Sequence, residues 1–586
     1  MSSVTVSYDK ADGVSEQYLT RRKSRKRIAV AALASALIVG AVIYLAVGLN
    51  RHEGRDGLKR WQTASNAVKY ACSSTLHPEL CISSISSFEG LSSKAGPMEI
   101  LNTAVKIGID AVERVKAHAL NLSRPGLDSR QRGALQDCME MFDDTLDELT
   151  ATLSDLHNAT FLSMPQRAAD LETLLSGAIT NQYTCLDGFH LCKGHLKQDM
   201  EEGLNKVSHL VSNALAMVGN ISDEANRALG IAAESLHDRR RRLLSDEEGV
   251  ASWMSAGDRK LLQAPARNIV VNVIVAKDGS GRHKTIAAAV AAAPEKSKTR
   301  YVIHIKRGVY EENVEIHKNK HNLMFIGDGK GLTVVTGSRN VKDGSTTFHS
   351  ATVAVTGKAF IARDMTFQNT AGPGKHQAVA LRVGSDLSAF YRCSFKGYQD
   401  TLYVHSLRQF YRECDVHGTV DFIFGNAAAV LQNCNLMARR PLPNQRIMYT
   451  AQGRKDPNQN TGISIQNCRV TADSDLAAVK SSFEVYLGRP WKEYARTVIM
   501  QSHLDDLIHP AGWYEWEGNF ALDTLYYGEY NNRGLGANTT RRVKWRGHRV
   551  IKSWREASQF TVDQFIQGDS WLPSTGVQYD SGFTSL

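Results

Sequence analysis

The pattern of hydrophobic and polar positions divides the chain into three parts. Residues 28–50 read IAVAALASALIVGAVIYLAVGLN, an apolar run without a charge. A helix of this length can cross a bilayer core of ~30 Å. From 58 to 236 apolar residues recur at three- and four-residue steps, which is typical of amphipathic helices. After residue 263 the pattern changes to short alternating runs of Val, Ile, Thr and Phe, which is typical of strands.

The helical part contains segments such as ILNTAVKIGIDAVERVKAHAL, with few glycines or prolines inside them. Short polar breaks, such as SRPG at 123–126, separate these segments. The pattern predicts an antiparallel helical bundle over residues 58–236. Periodicity alone leaves its role open, because a spacer or a dimerisation unit would show the same pattern.

The strand-rich part contains an approximate repeat, in which two hydrophobic positions lie two residues apart. The copies are Met365–Phe367, Cys393–Phe395, Cys414–Val416, Cys434–Leu436 and Cys468–Val470. Irregular intervals between copies suit a right-handed parallel β-helix, where each coil is one repeat and insertions become loops. A β-sandwich is the alternative, but it would need hairpin signals such as Asn-Gly, which are scarce here.

Length and charge predict how the chain is divided into domains and how it is oriented relative to a membrane. A chain of 586 residues is too long for one ordinary core, so two folded domains and a tail are expected. Basic residues at 21–27 directly precede the apolar run. The positive-inside rule then predicts a cytosolic tail (1–27), a transmembrane signal anchor (28–50) and a lumenal remainder. The remainder comprises the helical domain (58–236), a linker (237–262) and the strand-rich domain (263–586).

A lumenal location would allow glycosylation of sequons, disulfide bonds between cysteines and cleavage of the linker. Four acceptor sequons occur, at Asn121, Asn158, Asn220 and Asn538. Nine cysteines can pair in this compartment, and the odd number leaves at least one thiol free or joined to another chain. The charged linker repeats a basic-basic-Leu-Leu pattern, and exposed segments are preferred cleavage sites. We predict cleavage after Leu244 or Leu262.

Common hydrolase motifs are missing from the sequence, including Gly-x-Ser-x-Gly, His-Glu-x-x-His and the Walker loop. Polar residues instead recur on strand-like segments: Gln377 in QAVAL, Gln399 and Asp400 in YQDTLY, Asp421 in GTVDFIFGNAA, and Arg489 and Trp491 in YLGRPW. A charged Asp421 between Val420 and Phe422 would be costly to bury without a cation. One such acid alone would indicate a structural salt bridge. Several polar residues one coil apart predict a polar groove.

These segments resemble the pectin methylesterases, carbohydrate esterase family eight. The resemblance runs from about Val273 to the C-terminus and includes AKDGSG, GVYEENV, TFQNTAGP, KHQAVALRV, GYQDTLYVHSLRQFYREC, GTVDFIFGNAA, MYTAQGR and YLGRPWKEYARTV. The helical region, with CSSTLHPELC at 72–81, resembles the plant invertase and pectin methylesterase inhibitor family. Together the two resemblances imply a plant pectinesterase that is secreted to the cell wall and carries its own pro-domain, which inhibits it or guides its processing.

The resemblance also implies roles for single residues. Asp421 would be the nucleophile and Asp400 the acid and base. Gln377 and Gln399 would stabilise an oxyanion, while Arg489, Trp491 and Thr347 would hold the substrate. The implied disulfides are Cys72–Cys81, Cys138–Cys185 and Cys414–Cys434, with Cys192, Cys393 and Cys468 reduced.

The implied partners follow from the same resemblance. The substrate would be methyl-esterified homogalacturonan, the polymer of pectin. Inhibitor proteins and subtilisin-like processing proteases are further expected partners, and no metal or cofactor is expected. A net charge of +10 would attract polyanions, including nucleic acid. No recognition motif supports nucleic acid as a partner.

Two other functions remain open at this stage. A pectin-backbone hydrolase could also use paired carboxylates on a β-helix. A wall protein that binds pectin without turnover would keep the same groove.

Overall fold

The computed structural model describes residues 66–92, 94–123, 126–230 and 270–584. The predicted cytosolic tail, the predicted membrane segment and the predicted cleavage sites at Leu244 and Leu262 lie outside these residues. Within the described ranges, no helix combines the length and the apolar character that a membrane crossing requires.

The N-terminal part is helical. Its helices are α1 (Asn66–Ser73), α2 (Pro78–Ser86), α3 (Pro97–Leu122), α4 (Ser129–His157), α5 (Met164–Gly188) and α6 (Leu196–Ala228). A capping box starts α4: the Asp128 carboxylate accepts from the Gln131 N–H at 2.8 Å, and the Gln131 side chain accepts from the Asp128 N–H at 3.0 Å. These reciprocal bonds satisfy donors that a helix start would otherwise leave free.

The four long helices, α3 to α6, form the predicted bundle, in which α3 and α5 each pack against α4 and α6. The Cys72–Cys81 disulfide closes the α1–α2 hairpin, and Cys138–Cys185 joins α4 to α5. Cys192 is a free thiol. The four-helix bundle and both of its implied disulfides are therefore present.

The C-terminal part is built from short strands. In chain order they are β1 (Val273–Val275), β2 (Tyr301–Ile305), β3 (Gly308–Glu311), β4 (Val314–Ile316), β5 (Leu323–Gly327), β6 (Thr333–Gly337), β7 (Val353–Val355), β8 (Ile361–Arg363), β9 (Thr366–Asn369), β10 (Leu381–Val383), β11 (Ser388–Tyr391), β12 (Ser394–Lys396), β13 (Leu402–Val404), β14 (Arg408–Arg412), β15 (Asp415–Gly418), β16 (Ile423–Gly425), β17 (Ala428–Gln432), β18 (Asn435–Ala438), β19 (Ile447–Gln452), β20 (Gly462–Gln466), β21 (Arg469–Ala472), β22 (Val485–Gly488), β23 (Arg496–Met500), β24 (His503–Leu504), β25 (Tyr526–Tyr530) and β26 (His548–Val550). Short helices accompany them: α7 (Ile286–Ala292), α8 (Ser474–Ala477), α9 (Trp554–Ser558), α10 (Val562–Ile566) and α11 (Gly568–Thr575).

The strands form three parallel sheets. Their orders are β1-β2-β5-β8-β11-β14-β17-β20-β23-β25-β26, β22-β19-β16-β13-β10-β7-β4 and β24-β21-β18-β15-β12-β9-β6-β3. Most coils contribute one strand to each sheet, so successive coils stack in register, as Leu381, Leu402 and Ile423 do. This is a parallel β-helix. The sandwich alternative is wrong, because every ladder between the described strands is parallel.

The predicted repeat marks one corner of the coil. The residue before each copy is Asp364, Arg392, Glu413, Asn433 or Asn467, and all five have φ between 48° and 58°. This left-handed residue turns the chain sharply from the eleven-stranded sheet into the eight-stranded sheet. The next side chain then points into the core, which explains why Met365 and four cysteines occupy that position.

The predicted Cys414–Cys434 disulfide is wrong, because both residues are buried free thiols in the structure. The corner stacks Cys393, Cys414, Cys434 and Cys468 in one column. Each S–H lies within hydrogen-bonding distance of a carbonyl on the preceding coil, such as Phe390 O for Cys414 at 3.4 Å. Cys434 reaches Tyr411 O at 3.5 Å. The thiols are thus satisfied within the core without oxidation.

Candidate active site

The candidate site lies on the outer face of the seven-stranded sheet. One row of register partners crosses this face: Ala354, Arg382, Tyr403, Phe424 and Ala451. Strand residues on either side of the row, such as Leu402 and Val404, belong to the inner core. Because successive strand side chains point to opposite faces, the row faces outward and forms the floor of a cleft.

Asp400 and Asp421 lie at the edge of this floor on neighbouring coils. Each precedes its strand by two residues, and those strands pair Leu402 with Ile423. The Asp400 N–H donates to the Val420 carbonyl at 3.1 Å, which ties the two coils together at this point. Both aspartates have left-handed backbones, with φ of 63° and 52°, a conformation that aspartate tolerates better than most residues. The register therefore places both carboxyl groups side by side.

Arg489 pairs with Asp421 through both oxygens. Its Nε donates to Oδ1 at 2.8 Å and its Nη2 to Oδ2 at 2.6 Å. The arginine directly follows β22, and its N–H donates to the Thr450 carbonyl. A Cβ on Gly488 would lie 2.1 Å from the Thr450 hydroxyl oxygen, so only glycine lets the chain approach closely enough to place the guanidinium.

The two aspartates have different electrostatic surroundings. Burial raises the pKa of Asp400 well above its usual value, and the nearby charge of Asp421 raises it further, while Arg489 acts in the opposite direction. The surroundings of Asp400 therefore favour its protonated form. Asp421 is held by a bidentate guanidinium, the geometry that suits an ionised carboxylate. Two carboxyl groups with different surroundings thus lie side by side.

The remaining predicted site residues line the same cleft. Thr347, Gln377, Gln399 and Trp491 border a cavity of about 390 Å³ together with Asp400, Asp421 and Arg489. The structure brings all seven residues together. Among the described residues, no cluster of His, Cys, Asp or Glu has an arrangement that could hold a metal ion.

Sequence reasoning found Trp491 but missed the other aromatic residues of the cleft, Tyr403, Phe424 and Trp516. The rings of Tyr403 and Phe424 stack with centroids 4.2 Å apart, and Trp491 lies 5.9 Å from Phe424. Trp516 packs against the guanidinium of Arg489 at 4.3 Å. Tyr403 and Phe424 are the central residues of the strands LYV and IFG in the sequence. Only the register of the coils shows that these two positions line the cleft.

Comparison with known proteins identifies the two parts. Residues 272–569 match the family model described as Pectinesterase. A tomato (Solanum lycopersicum) protein, "Pectinesterase/pectinesterase inhibitor U1", is 52% identical, with 96% of this chain and 97% of that protein covered. This chain belongs to the pectinesterase family. The enzyme is accordingly a carboxylic ester hydrolase.

Two further matches concern its parts. Residues 66–217 match the model described as Plant invertase/pectin methylesterase inhibitor. The solved "Pectin methylesterase from Carrot" is 64% identical with a TM-score of 0.53, and the match covers 54% of this chain and 99% of that one. "Pectinesterase 2" of Arabidopsis thaliana is 55% identical over 88% of this chain and 90% of its own length.

The inhibitor-like bundle lies directly over the cleft of this pectinesterase. Leu186, Asp187 and Gly188 at the end of α5 border the same cavity as the two catalytic candidates. The Lys492 ammonium, next to Trp491, donates to Asp187 at 2.7 Å. In the full chain, the helix therefore occupies the rim of the cleft.

One side of α5 makes the rest of this contact. Thr173, Ser176, Thr180 and Thr184 recur at three- and four-residue steps, so they share a helix face. Asn426 donates to the Thr180 hydroxyl at 2.8 Å, and the hydroxyl of Thr184 lies 2.8 Å from His405 Nε2. Polar hydrogen bonds thus hold α5 on the β-helix.

The neighbouring helix α4 contributes acids to the contact. His349 hydrogen-bonds to Asp137 through Nδ1, and its Nε2 lies 2.8 Å from Glu140. Burial disfavours the charged ring, but the two acids outweigh it and raise the pKa of His349 to about 9. Lys318 pairs with Asp147 at 2.7 Å. The ring of His349 is therefore an imidazolium clamped between carboxylates.

The four sequon asparagines differ in accessibility. Asn121, Asn158 and Asn538 are exposed, whereas Asn220 is half-buried and its amide donates to the Ser74 hydroxyl. Asn538 accepts from the Thr540 hydroxyl at 2.6 Å, within its own sequon. Glycosylation at all four positions stays a prediction.

Proposed function

We propose that the enzyme hydrolyses the C6 methyl esters of homogalacturonan, with Asp421 as nucleophile and Asp400 as acid and base. The single observation that carries this proposal is the pairing of unlike carboxyl groups on adjacent coils. Asp421 accepts hydrogen bonds from Nε and Nη2 of Arg489, and burial beside Asp421 raises the pKa of Asp400. An acid and a nucleophile in one cleft are the two groups that ester cleavage requires.

In the first half of the reaction, an Asp421 oxygen attacks the ester carbonyl carbon. The resulting tetrahedral oxyanion accepts hydrogen bonds from the side-chain amides of Gln377 and Gln399, which border the same cavity. The bond to the methoxyl oxygen breaks, and the proton of Asp400 passes to that oxygen. Methanol leaves, and an acyl-enzyme anhydride remains on Asp421.

In the second half, Asp400 is a carboxylate and acts as general base. It takes a proton from a water molecule, whose oxygen attacks the acyl carbon. The bond to the Asp421 oxygen breaks, so that Asp421 regains its carboxylate. The galacturonic acid that leaves gives up its remaining proton to solvent. Asp400 ends protonated, as it began. Arg489 holds the nucleophile in place throughout.

Asp421→Asn tests the assignment of the nucleophile. Methanol release from esterified pectin should fall by about 10⁴-fold or more, since an amide cannot form the acyl-enzyme. Asp523→Asn, at an exposed position, is the matched control and should match the wild type. Full methanol release by the Asp421 variant would refute this mechanism. Formation of reducing ends by the wild-type enzyme would indicate a backbone hydrolase instead.

We further propose that the bundle inhibits the enzyme in cis. The support is steric, because α5 borders the cavity and Lys492 pairs with Asp187 across it. A polymer cannot lie on a floor that a helix covers. Methanol release should rise at least about ten-fold when a protease site inserted between residues 231 and 269 is cut and the bundle is removed. Equal activity before and after removal would refute inhibition in cis.

Secretion to the cell wall, a precursor held by residues 28–50, and cleavage after Leu244 or Leu262 also belong to this proposal. The support is the sequence pattern alone. N-terminal sequencing of the secreted protein should find Ser245 or Gln263 as the first residue. A mature chain that begins within the bundle would refute the cleavage sites.

A further inference from the structure

The C-terminal end of the β-helix carries a dense group of cations. Between residues 541 and 556 the sequence contains seven lysines and arginines, and Glu556 is the only acid. We call residues 541–555 the C-terminal cap. Its strand β26 is the last strand of the eleven-stranded sheet, whereas the floor of the cleft lies on the seven-stranded sheet. The C-terminal cap therefore lies on a different sheet from the one that carries the cleft.

One of these arginines has a structural role. Arg542 is 3% exposed, and its Nε and Nη2 donate to the two oxygens of Glu529 at 2.9 and 3.0 Å. The Trp513 ring N–H also donates to Glu529, at 3.1 Å. Val543 and Trp545, on the same segment, pack against the inner core. These inward-facing side chains close the end of the β-helix.

The other six cations lie on the surface. They are exposed while the bundle is docked, and they are Arg541, Lys544, Arg546, Arg549, Lys552 and Arg555. The one acid of the segment, Glu556, lies 3.7 Å from Arg549 and accepts from the Tyr526 hydroxyl at 2.8 Å. Exposed cations that outnumber the acids of their segment create a positive potential, which attracts polyanions.

Aromatic rings accompany the exposed cations. Trp554 begins α9 and is 48% exposed, although tryptophan is highly buried in most proteins. The guanidinium of Arg555 lies 5.7 Å from its ring centroid, and that of Arg549 lies 4.4 Å from the ring centroid of Tyr526. A sugar ring that packs on Trp554 would remove apolar surface of both partners from water. An arginine beside such a ring can take a carboxylate with two parallel hydrogen bonds.

We propose that the C-terminal cap is a second, non-catalytic binding surface whose ligand is unesterified homogalacturonan, the polymer that the proposed reaction produces. The choice of this polymer rests on the proposed function, whereas the surface itself does not. Each hydrolysed ester leaves one carboxylate on the polymer, so its negative charge grows where the enzyme has acted. The C-terminal cap then holds the enzyme on regions that are already de-esterified, while the cleft stays free for the next ester.

Calorimetry of the uncut chain with an unesterified galacturonate decamer tests the surface, because the bundle is then docked over the cleft. The cap variant combines Lys544→Gln, Arg546→Gln and Lys552→Gln. It should bind the decamer about ten-fold more weakly or worse, as expected for the loss of three exposed charge pairs. Equal affinity of the wild type and the cap variant would overturn the proposal.

The matched control removes the same residue types from the opposite end of the β-helix. It combines Arg282→Gln, Lys284→Gln and Lys298→Gln, three exposed positions in the first coil. Its net charge equals that of the cap variant, and its affinity for the decamer should equal that of the wild type. An equal loss in both variants would show that net charge alone governs binding, and it would overturn a localised surface.

Trp554→Ala separates contact with a sugar from charge alone. It should weaken decamer binding by about ten-fold without changing the net charge, whereas Trp554→Phe, which keeps a ring, should retain most of the affinity. Polyglutamate is a polyanion without sugar rings, so its binding should not respond to Trp554→Ala. An equal response of both polyanions would overturn the assignment of a sugar ligand. Tighter binding of a DNA duplex than of the decamer would make nucleic acid the ligand instead.

Salt provides an independent measurement on the same proteins. Raising the ionic strength from about 0.1 M to about 1 M shortens the screening length from about 10 Å to about 3 Å. The wild-type affinity should then fall to that of the cap variant, and an affinity that salt leaves unchanged would contradict the proposal. Circular dichroism should show the same strand content in all variants, because every substituted side chain is exposed.

Failure of this surface and failure of the proposed function give different results. Calorimetry of the decamer does not depend on methanol release. If the wild type releases no methanol, the proposed function fails, while the comparison with the cap variant still decides whether the surface exists. If methanol is released and the cap variant binds the decamer as the wild type does, only the surface fails.

Discussion

At the scale of single residues, the candidate site contains two aspartates whose surroundings differ. Asp400 and Asp421 are equally buried, at 6% and 5% exposure. What differs is the partner, because Arg489 bonds both oxygens of Asp421, whereas burial and the charge of Asp421 raise the pKa of Asp400. In the proposed mechanism, Asp400 then donates a proton while Asp421 attacks. A single arginine thus separates two chemical roles.

Arg489→Lys tests this separation. Lysine keeps the positive charge but cannot bond both carboxylate oxygens, so Asp421 would lose its fixed orientation. We expect kcat for methanol release to fall by about a hundred-fold, the usual scale for a misplaced reacting group. Arg446→Lys, which alters an exposed pair with Glu484, is the matched control. An unchanged kcat for Arg489→Lys would show that the bidentate geometry is dispensable.

Single residues also show where sequence reasoning succeeds and where it stops. Asp421 drew attention because it stands between Val420 and Phe422, where a charged side chain needs a partner, whereas the role of Asp400 was implied only by the family resemblance. Arg382 and the stacked Tyr403 could not be predicted, since their meaning depends on which coils become neighbours. The corner cysteines were misassigned for a related reason. Stacking brings their sulfurs close, but backbone carbonyls already accept their S–H groups.

At the scale of elements, α5 combines two tasks on opposite faces. Leu171, Leu175 and Ile179 pack in the core of the bundle. The face with Thr173, Ser176, Thr180 and Thr184 is polar and also buried, because it hydrogen-bonds to the β-helix. A helical pattern alone predicts an amphipathic helix and assigns such a polar face to solvent. The contact with the second domain was therefore not predictable from the periodicity of α5.

Thr180→Arg tests whether this face holds the bundle in place. The Thr180 hydroxyl accepts from Asn426 and lies 3.3 Å from the Gln459 amide. A longer charged side chain there cannot be accommodated without separating the helix from the β-helix. We expect methanol release by the uncut chain to rise toward that of the separated enzyme domain.

The control for this variant is Gln166→Arg, an exposed position on the same helix, which should leave the uncut chain inhibited. Circular dichroism should show that both variants keep the helical content of the bundle. A folded Thr180→Arg chain with unchanged activity would show that α5 is not the inhibitory element.

At the scale of the whole molecule, two folds share one interface. Phe348, Tyr403 and Phe424 of the β-helix belong to the same apolar cluster as the core of the bundle. The β-helix itself was predictable, because the hydrophobic repeat in the sequence occurs at the same corner of each of several stacked coils. The placement of the bundle was not, since it depends on complementary charges that lie far apart in the chain, such as His349 and Glu140.

The charges in this interface make docking of the bundle depend on pH. The pKa of His349 is raised to about 9 by Asp137 and Glu140, although burial opposes the shift. Burial raises the pKa of Asp144 to about 6. The charges of Lys318 and Arg382 oppose this shift, whereas those of Glu140 and Asp147 add to it. Burial and the charge of Asp223 raise the pKa of Glu172 to about 7, although the charge of Arg496 opposes the shift. The pKa of Glu140 shifts in the opposite direction. Burial would raise it, but the contact with His349 outweighs burial and lowers it.

The sign of the effect follows from linkage. A group whose pKa is higher in the docked state binds its proton more tightly there, so docking is strongest below the free pKa and weakens as pH rises through the docked pKa. For the two carboxyl groups this window runs from about pH 4 to about 7. For His349 it runs from about 6.5 to about 9. Glu140 acts only below its ordinary value. His405, which hydrogen-bonds to Thr184 of α5, has a pKa that burial lowers to about 3, so it opposes the two carboxyl groups below about pH 6.5 but does not oppose His349 above that pH.

Docking should therefore be tight at pH 6.5 and weak at pH 9. A shift of about two pKa units at one site changes the binding constant by about a hundred-fold. With the linker cut, size-exclusion chromatography should show one complex at the acidic pH and two separate species at the alkaline pH. His349→Gln should reduce the change between pH 6.5 and 9, whereas the exposed control His317→Gln should not. Dissociation favoured by acid would contradict the charge arrangement described for this interface.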